Sequence, residues 1–392
     1  MIQRSKLRRS PAYSVWRSYR EVEQLKRFNR ILDAYLRNQQ ASEPYSEAYT
    51  RRRLAQIQQQ RHPLLAYQGT PSIIAFGTND WEQYGLWPSL ERVSHFVLFD
   101  YHKWLLSRGM RRSDPQMCRR LAAAFLETID TVPPDNKPTL AFFYAAGTYI
   151  ADELLVELAH RGIWTIVMSL DDKQQFAKGA DQLRVAAHCD LYWTVWKTGT
   201  QIVLDLGGTP WYAPEAADPA FYHPMGVVRD FDIVFIGQSY GLRADLVRYL
   251  RRRGFNVVTF GSGWPNGFVS FEDVVEIYSR AHIVLGVGGV GQMAGVRHLK
   301  GRDFEAPMCG ALYLTSYNPE LADHFRIGEE ILCYSSSEEC ADIIHWVQRH
   351  PEEAERIRQA ALQRSTADHT WEIRLQHMFS LFPESTNAET AG

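Results

Sequence analysis

Lys300, Arg302, Asp303 and Glu305 crowd the start of one run, LKGRDFEAPMCGALYLTSYNP at residues 299–319. Cations and carboxylates at this spacing can hold an anion and a polyol together. Lys300 or Arg302 would reach phosphate oxygens, and Glu305 would accept from both hydroxyls of a ribose. A second set lies upstream in Gly237-Gln238-Ser239-Tyr240-Gly241-Leu242-Arg243. Its glycines let backbone N–H groups come close to a phosphate, which side chains would block. Arg243 falls in the first turn of the helix that follows, where a cation opposes the helix dipole unless an anion sits between them. The two sets suit a ligand that carries a diphosphate. The plain alternatives are a solvated Arg243 and a Glu305 paired with a neighbouring cation on a surface helix.

A third glycine-rich segment, Gly286-Val287-Gly288-Gly289-Val290-Gly291, matches the G-x-G-x-x-G pattern of dinucleotide sites and follows a strand. That strand is internal to its domain, however, and the next one ends in Thr315-Ser316, with no acid to hold a ribose 2′-hydroxyl. A nicotinamide or flavin enzyme stays as a rival reading only. The chain contains no G-x-x-x-x-G-K-[ST], no G-x-S-x-G and no His/Cys/Glu set with metal-ligand spacing. Asp171 and Asp172 are adjacent rather than spaced as D-x-D, so the chemistry expected here needs no metal.

The elements that must position these residues are legible as periodicity. Residues 299–319 read as a helix that stops at Gly310 and feeds a buried strand over 311–314, closed by the turn-forming set Thr315-Ser316-Tyr317-Asn318-Pro319. From residue 71 onward, short apolar runs at 72–76, 95–99, 140–144, 164–168 and 191–196 alternate with helical patterns such as 117–129 and 149–160. That spacing means βαβ units and a parallel sheet, whose strand ends at Gly77, Asp100, Gly147 and Asp171-Asp172 should line one crevice. Pro210, Pro214, Pro219 and Pro224 then crowd residues 207–226, which read as a linker without periodicity. A second alternation follows, with strands at 232–237, 256–260, 282–287 and 331–334 and helices at 241–253, 271–280, 336–348 and 351–367. The expectation is an α/β protein of two Rossmann-like, doubly wound parallel-sheet domains facing a ligand cleft. Its parts are a helical arm over 1–62, a first domain over 63–226 and a second over 227–392.

Composition narrows the class. The 392 residues hold two or three domains at roughly 150 residues each. Apolar content of 45% with 22% charged residues suits a chain with a sizeable core. A net charge of -2 argues against a nucleic-acid binder. Five scattered cysteines fit a reducing cytoplasm better than a disulfide framework. No run approaches the roughly 20 apolar residues of a membrane span, and the N-terminus lacks an apolar signal core. Charge is nonetheless uneven. Up to residue 62 there are fourteen Lys and Arg against five acids, a local +9, which leaves about -11 for the remainder. Val15, Tyr19, Val22, Leu25, Phe28, Ile31, Leu32 and Tyr35 form an apolar stripe at helical spacing on this arm. Three fates fit it: packing on its own globular body, homodimer formation, and peripheral contact with an anionic membrane surface.

The sequence resembles a known family. KGRDFEAPMCGALYLTSYNPEL, then IGEEILCYSSSEE, then HPEEAERIRQAALQRSTADHTWEIR are similar to the spore-maturation-type branch of the GT-B glycosyltransferases (glycosyl transferases family 1). Members of that branch carry a [KR]-G-R-x-F-E…G…L-T-x-Y-N run and a closing H-T-x-x-x-R. The likeness spans about residues 70 to 380, more strongly in the second half, and leaves the arm outside. It implies a two-domain GT-B enzyme whose C-terminal domain binds a nucleotide-activated sugar, UDP-linked. The N-terminal domain would present an unidentified glycan, protein or small-molecule acceptor. It implies that Glu305, the second glutamate of an E-x7-E motif, holds the donor ribose; the first falls on Arg297. Gly237, Gln238 and Arg243 would form the diphosphate loop, with Gln238 where an arginine is common. Backbone near Val269 would face the base, and Tyr317 and Asn318 would lie near the sugar or diphosphate. Transfer would be retaining and free of metal or other cofactor, with Arg243, Lys300 or Arg302 and the loop amides stabilising the leaving diphosphate. Asp80, Asp171 and Asp172 are candidates for an acceptor-side base by strand-end position alone. The rival from another class is a non-catalytic sugar-nucleotide-binding or coat-assembly protein that kept the fold.

Overall fold

The structure is a computed structural model that describes residues 44–61, 70–110, 116–173, 183–239, 241–290 and 293–383, together with positions 23, 26, 28–30, 32 and 33. The chain packs as two compact units. One comprises residues 42–172, 181–223 and 364–392, and the other residues 1–41, 173–180 and 224–363. Among the described residues no helix is long and apolar enough to cross a membrane.

The first unit is built on β1 (Ser72–Gly77), β2 (His95–Asp100), β3 (Leu140–Phe143), β4 (Trp164–Ser169), β5 (Leu191–Thr194) and β6 (Pro210–Tyr212). They lie in the order β2-β1-β3-β4-β5-β6, and every pairing is parallel. Ile74 stands beside Val97 on one side and Ala141 on the other. Strands β3, β4 and β5 are buried along their whole length, as expected of a parallel sheet covered on both faces. Trp164, Trp193, Trp211 and Trp371 meet in its core, and Trp193 packs edge-on against Trp211 with centroids 4.7 Å apart.

Residues 207–226 are a linker only at their end, where the two units part between His223 and Pro224 and residues 223–228 are exposed without regular structure. Pro210 opens β6, an edge strand, where its missing N–H leaves no ladder bond unmade. Trp211 and Ala217 beyond it are buried. The Pro210 carbonyl accepts from Thr50 Oγ1 at 2.6 Å. That bond ties in the helix Glu47–Arg61, whose Leu54 and Ile57 enter the same core. Of the apolar stripe expected earlier on the arm, Val15, Tyr19, Val22, Leu25, Ile31 and Tyr35 lie outside the described residues. Phe28 is buried and Leu32 half-buried, both in helical conformation.

The second unit holds β7 (Phe231–Ile236), β8 (Val257–Phe260), β9 (Ala281–Leu285), β12 (Leu312–Ser316) and β13 (Leu332–Tyr334), in the parallel order β13-β12-β9-β7-β8. Phe235, Leu285, Leu312 and Leu314 form its core with Leu246, Leu250, Ile344 and Val347 from the covering helices. The helix Phe271–Arg280 starts at a capping box: Ser270 Oγ accepts from the Asp273 amide and the Asp273 carboxylate accepts from the Ser270 amide. Gly310, at φ +73°, ends the helix Arg302–Met308 where the sequence suggests and feeds the fully buried β12.

The G-x-G-x-x-G segment runs from β9 into an antiparallel ribbon, β10 (Gly289–Val290) with β11 (Met293–Arg297). A dinucleotide fingerprint needs a helix N-terminus directly after its glycines, and none follows here. Gly286 is instead a packing glycine, because a Cβ there would run into the Tyr313 hydroxyl and Thr315 Oγ1. The nicotinamide reading therefore loses its phosphate-binding element.

Candidate functional site

At the carboxyl edge of the second sheet, β7 ends in Gly237, whose amide bonds the Phe260 carbonyl and whose φ of +150° lies outside the range favoured by residues with a Cβ. The chain then turns at Gly241 into the helix Leu242–Arg252. Arg243 in its first turn is buried, and its Nη1 donates to the Gln238 carbonyl at 3.3 Å. Arg302, the first residue of its own helix, arrives from the other side. The guanidinium carbons of Arg243 and Arg302 stand 5.8 and 5.3 Å from the centre of the Phe235 ring. A Cβ placed on Gly237 would lie 3.0 Å from Arg302 Nη2 and 3.5 Å from Arg243 Nη1. Both cations therefore converge on one glycine, and the aromatic face beneath them offsets part of their repulsion. Tyr278 hydrogen-bonds the Arg302 side chain, yet Arg302 Nε is buried with no partner. A buried donor left open is costly, and an anionic oxygen would satisfy it.

The loop after β8 braces this arrangement. Trp264 Nε1 donates to the Gly237 carbonyl at 2.7 Å, and the Ser239 amide bonds the Ser262 carbonyl at 2.8 Å. A Cβ on Gly261 would collide with the Gly237 backbone, so the two loops can touch only through glycine. Val269, at the far end of the same loop, is half-buried beside an exposed Phe268.

A second group of cations adjoins the first. His298 is buried, and its ring Nε2 faces Lys300 Nζ in a close hydrogen bond. Burial and the charges of Lys300, Lys173 and Arg243 push its imidazole well below the usual histidine range, so it is neutral and acts as an acceptor. Lys173 Nζ bridges the Arg297 carbonyl at 2.6 Å and Glu320 Oε1 at 2.9 Å. Burial lowers its pKa, and the Glu320 carboxylate opposes that shift. Arg297 donates to the Tyr317 carbonyl. Asn318 is buried: its Oδ1 accepts from the Glu320 amide at 3.2 Å, while its Nδ2 has no partner. Tyr317 is exposed. Glu305 is half-buried one turn after Arg302 and contributes to the field at that guanidinium. Asp303 is committed to the fold, accepting from the Lys300 amide and, in a very short bond, from the Tyr313 hydroxyl.

Of the residues singled out in sequence, Arg243 thus bonds Gln238, and Arg243 and Arg302 both converge on Gly237. Lys300 joins them through the field at His298, and Tyr317 and Asn318 sit with Arg297 and Glu320. Phe235, Lys173 and His298 were missed. Phe235 looks like any core aromatic, and the other two carry no local signal.

In the first unit the three candidate acids part ways. Asp80 and Asp171 are exposed at the ends of β1 and β4. Asp172 is buried and accepts from the Tyr192 hydroxyl at 2.8 Å and Thr194 Oγ1 at 2.5 Å. Burial raises its pKa to about 6 against those hydrogen bonds. Glu82, unmarked in the sequence, is buried near Asp80 and accepts from Thr78 Oγ1 at 2.6 Å and the Asp80 amide at 2.8 Å. Burial lifts its pKa, and with Glu215 and Asp171 it surrounds the Tyr144 phenol with negative charge. The closing H-T-x-x-x-R motif docks a helix. Thr370 caps Trp371–Ser380, the Ala217 and Trp371 amides exchange bonds with the His369 and Ala217 carbonyls, and Arg374 bonds His369 Nδ1 at 2.8 Å. Among the described residues no three His, Cys, Asp or Glu side chains form a group able to hold a metal ion.

Comparison with known proteins follows the fold. Sucrose-phosphate synthase from Thermosynechococcus elongatus superposes at a TM-score of 0.55 and 12% identity, covering 80% of this chain and 98% of its own. Anabaena Alr3699/HepE, solved in complex with UDP-glucose, gives 0.54 at 12% identity over 79% of this chain and 99% of its own. A glycosyltransferase from Rickettsia africae gives 0.54 at 11% over 80% and 98%. At such identities the likeness is one of fold, and it bears out the expected GT-B type of α/β architecture with two parallel sheets. No relative of curated function matches the sequence. Residues 243–380, from the buried Arg243 through the 300–318 run to the last helix, match the family model described as glycosyl transferase-like.

Proposed function

We propose that the protein is a glycosyltransferase that moves a sugar from a UDP-linked donor to an acceptor hydroxyl without a metal ion. One observation carries the reading: Arg243 and Arg302 converge on Gly237 above the Phe235 ring, with Arg302 Nε still open. In the reaction the bond from the anomeric carbon to the diphosphate oxygen breaks, and that carbon bonds the acceptor oxygen, which loses its proton. The diphosphate leaves with the electron pair, and preorganised guanidinium groups are suited to stabilise that growing charge. Lys300, held by neutral His298, adds a third cation. Glu305, one turn beyond Arg302, accepts from the donor ribose, and Tyr317 and Asn318 flank the sugar. The first unit supplies the acceptor side, where Glu82, Asp80 and Asp171 are the candidate bases and Asp172 is structural. Retention of configuration, membership of the spore-maturation-type branch and a cytoplasmic location complete the proposal. The basic stretch before residue 42 is assigned to assembly or to contact with a membrane surface.

A second reading, a sugar-nucleotide-binding protein without turnover, draws on Arg297, which stands where related enzymes carry an acid and is tied to the Tyr317 carbonyl. One experiment addresses both. The purified protein is melted with a panel of nucleoside diphosphates and then incubated with the sugar nucleotides that stabilise it, while diphosphate release is followed. Selective stabilisation by UDP with release supports transfer. Stabilisation without release from any donor favours the second reading, and no stabilisation by any nucleotide overturns both.

A further inference from the structure

The sheet of the second unit has a second functional edge. Opposite Gly237, where β7 and β9 begin, lies a cavity of about 410 Å³, in the range of small-molecule sites. Part of its wall is apolar, from Ile233, Ile283 and Val347. Two guanidinium groups, Arg229 and Arg358, and two carboxylates, Asp232 and Glu355, stand in the rest of the wall. Arg358 is 5% exposed. Its Nη1 pairs with Glu355 and its Nη2 donates to the His282 carbonyl at 3.2 Å, but its Nε is buried without a partner. Arg229 reaches the same Glu355 carboxylate at only 3.7 Å, and its Nε is likewise buried and unpartnered.

One carboxylate therefore serves two arginines, and Gln359 also donates to it at 2.7 Å. Of the other acids nearby, one is paired with a cation and one with a neutral amide. Asp230 is held by two bonds from Arg280, at 2.8 and 2.6 Å, and Asp232 accepts from Asn256 at 3.0 Å. Burial and the neighbouring Arg229 charge hold Arg358 below the usual arginine range.

We propose that this cavity is a second ligand site, for an oxyanion (a phosphate ester or a carboxylate) on a small apolar body, bound by Arg229 and Arg358. It needs nothing from the Gly237 site. Hydrogen–deuterium exchange on the full chain tests it, with inorganic phosphate, glycerol 3-phosphate or benzoate at millimolar concentration against chloride at equal ionic strength. The expected result is slowed exchange at the start of the helix Pro351–Asp368 and at the start of β9. Phosphates and benzoate then separate the two head groups by which of them protects. Arg229→Gln should weaken that protection by about tenfold or more in apparent Kd, the size of a lost charge-assisted pair. Its side chain is one-third exposed, so the fold tolerates the change. Arg358→Met should act in the same direction, and if it does not fold the Arg229 variant decides alone. Absence of protection by every anion, protection confined to residues 237–243, or protection unchanged in Arg229→Gln would each overturn the proposal.

Discussion

Arg302→Gln separates a binding arginine from a packing one. In the ligand-free protein the Arg302 guanidinium gains a cation–π contact with Phe235, about 0.5–2 kcal/mol, and a bond to Tyr278, about 1.5–3 kcal/mol. Against these stand the open Nε, at about 1–3 kcal/mol, and repulsion from Arg243. The two sides largely offset, so glutamine should cost no more than about 2 kcal/mol of unfolding free energy. Binding is different. If a diphosphate oxygen completes the site, the lost charge-assisted bond is worth roughly 1.5–3 kcal/mol, and UDP should bind about 10- to 150-fold more weakly. Titration calorimetry with UDP at fixed salt, paired with urea unfolding of both proteins, reads the two quantities independently. With a sugar donor, kcat/KM should fall further than Kd rises, because leaving-group charge is greatest in the transition state. Unchanged UDP affinity together with a loss of more than about 2 kcal/mol of stability would refute the reasoning and make Arg302 a packing residue.

Three further outcomes are expected. Gly237→Ala places a methyl 3.0 Å from Arg302 Nη2 on a backbone at φ +150°, so it should weaken UDP binding at least as much as Arg302→Gln while costing about 1 kcal/mol of stability; undiminished binding in calorimetry would contradict it. Glu305→Gln should reduce UDP affinity by roughly 10- to 100-fold and leave the melting temperature nearly unchanged, and equal affinities would remove the residue from the site. Asp172→Asn concerns pH: the carboxyl is raised from 3.8 to about 6, so the folded state binds the extra proton and stability falls as pH rises between about 4 and 6, by at most roughly 3 kcal/mol. The variant should flatten that slope in urea melts at pH 4.5 and pH 7, and an identical slope in both proteins would refute the assignment.

The strands were the most legible part of the chain because burial on both faces writes itself as an uninterrupted apolar run. Ser72–Gly77, Trp164–Ser169, Phe231–Ile236 and Leu312–Ser316 all fall within a residue or two of the runs that announce them. What local pattern misjudged was decided by distant partners. Pro210 punctuates a sequence like a linker, but on an edge strand its missing donor has no neighbour to fail, and Thr50 uses its carbonyl. The glycines at 286–291 look like a phosphate loop until the Tyr313 hydroxyl is seen to fill the space a side chain would need. The helix Trp371–Ser380 follows the second alternation in sequence yet belongs to the first core, because Ala217 pairs with its cap and Trp371 packs against Trp193.

The candidate site follows the same division. Residue types were readable where one run carries both the residue and its reason, as with Lys300 just ahead of a helix that carries Arg302 and Glu305 and that a glycine stops before a buried strand. The meeting of Arg243 with Arg302 was not, since it depends on parallel strands bringing distant chain segments to one edge, above a phenylalanine that looks like ordinary core. Nor does a sequence show which donors stay open. Arg302 and Arg280 are alike as residues in a string of letters. Asp230 and Glu276 take up the Arg280 guanidinium, whereas Arg302 Nε keeps an unfilled hydrogen bond beside a second cation. That surplus of donors over acceptors, rather than the presence of arginine, is what makes the Gly237 edge fit an anion. Because the same surplus recurs at Arg229 and Arg358, the two edges of one sheet can be ranked by titrating both with the same phosphate.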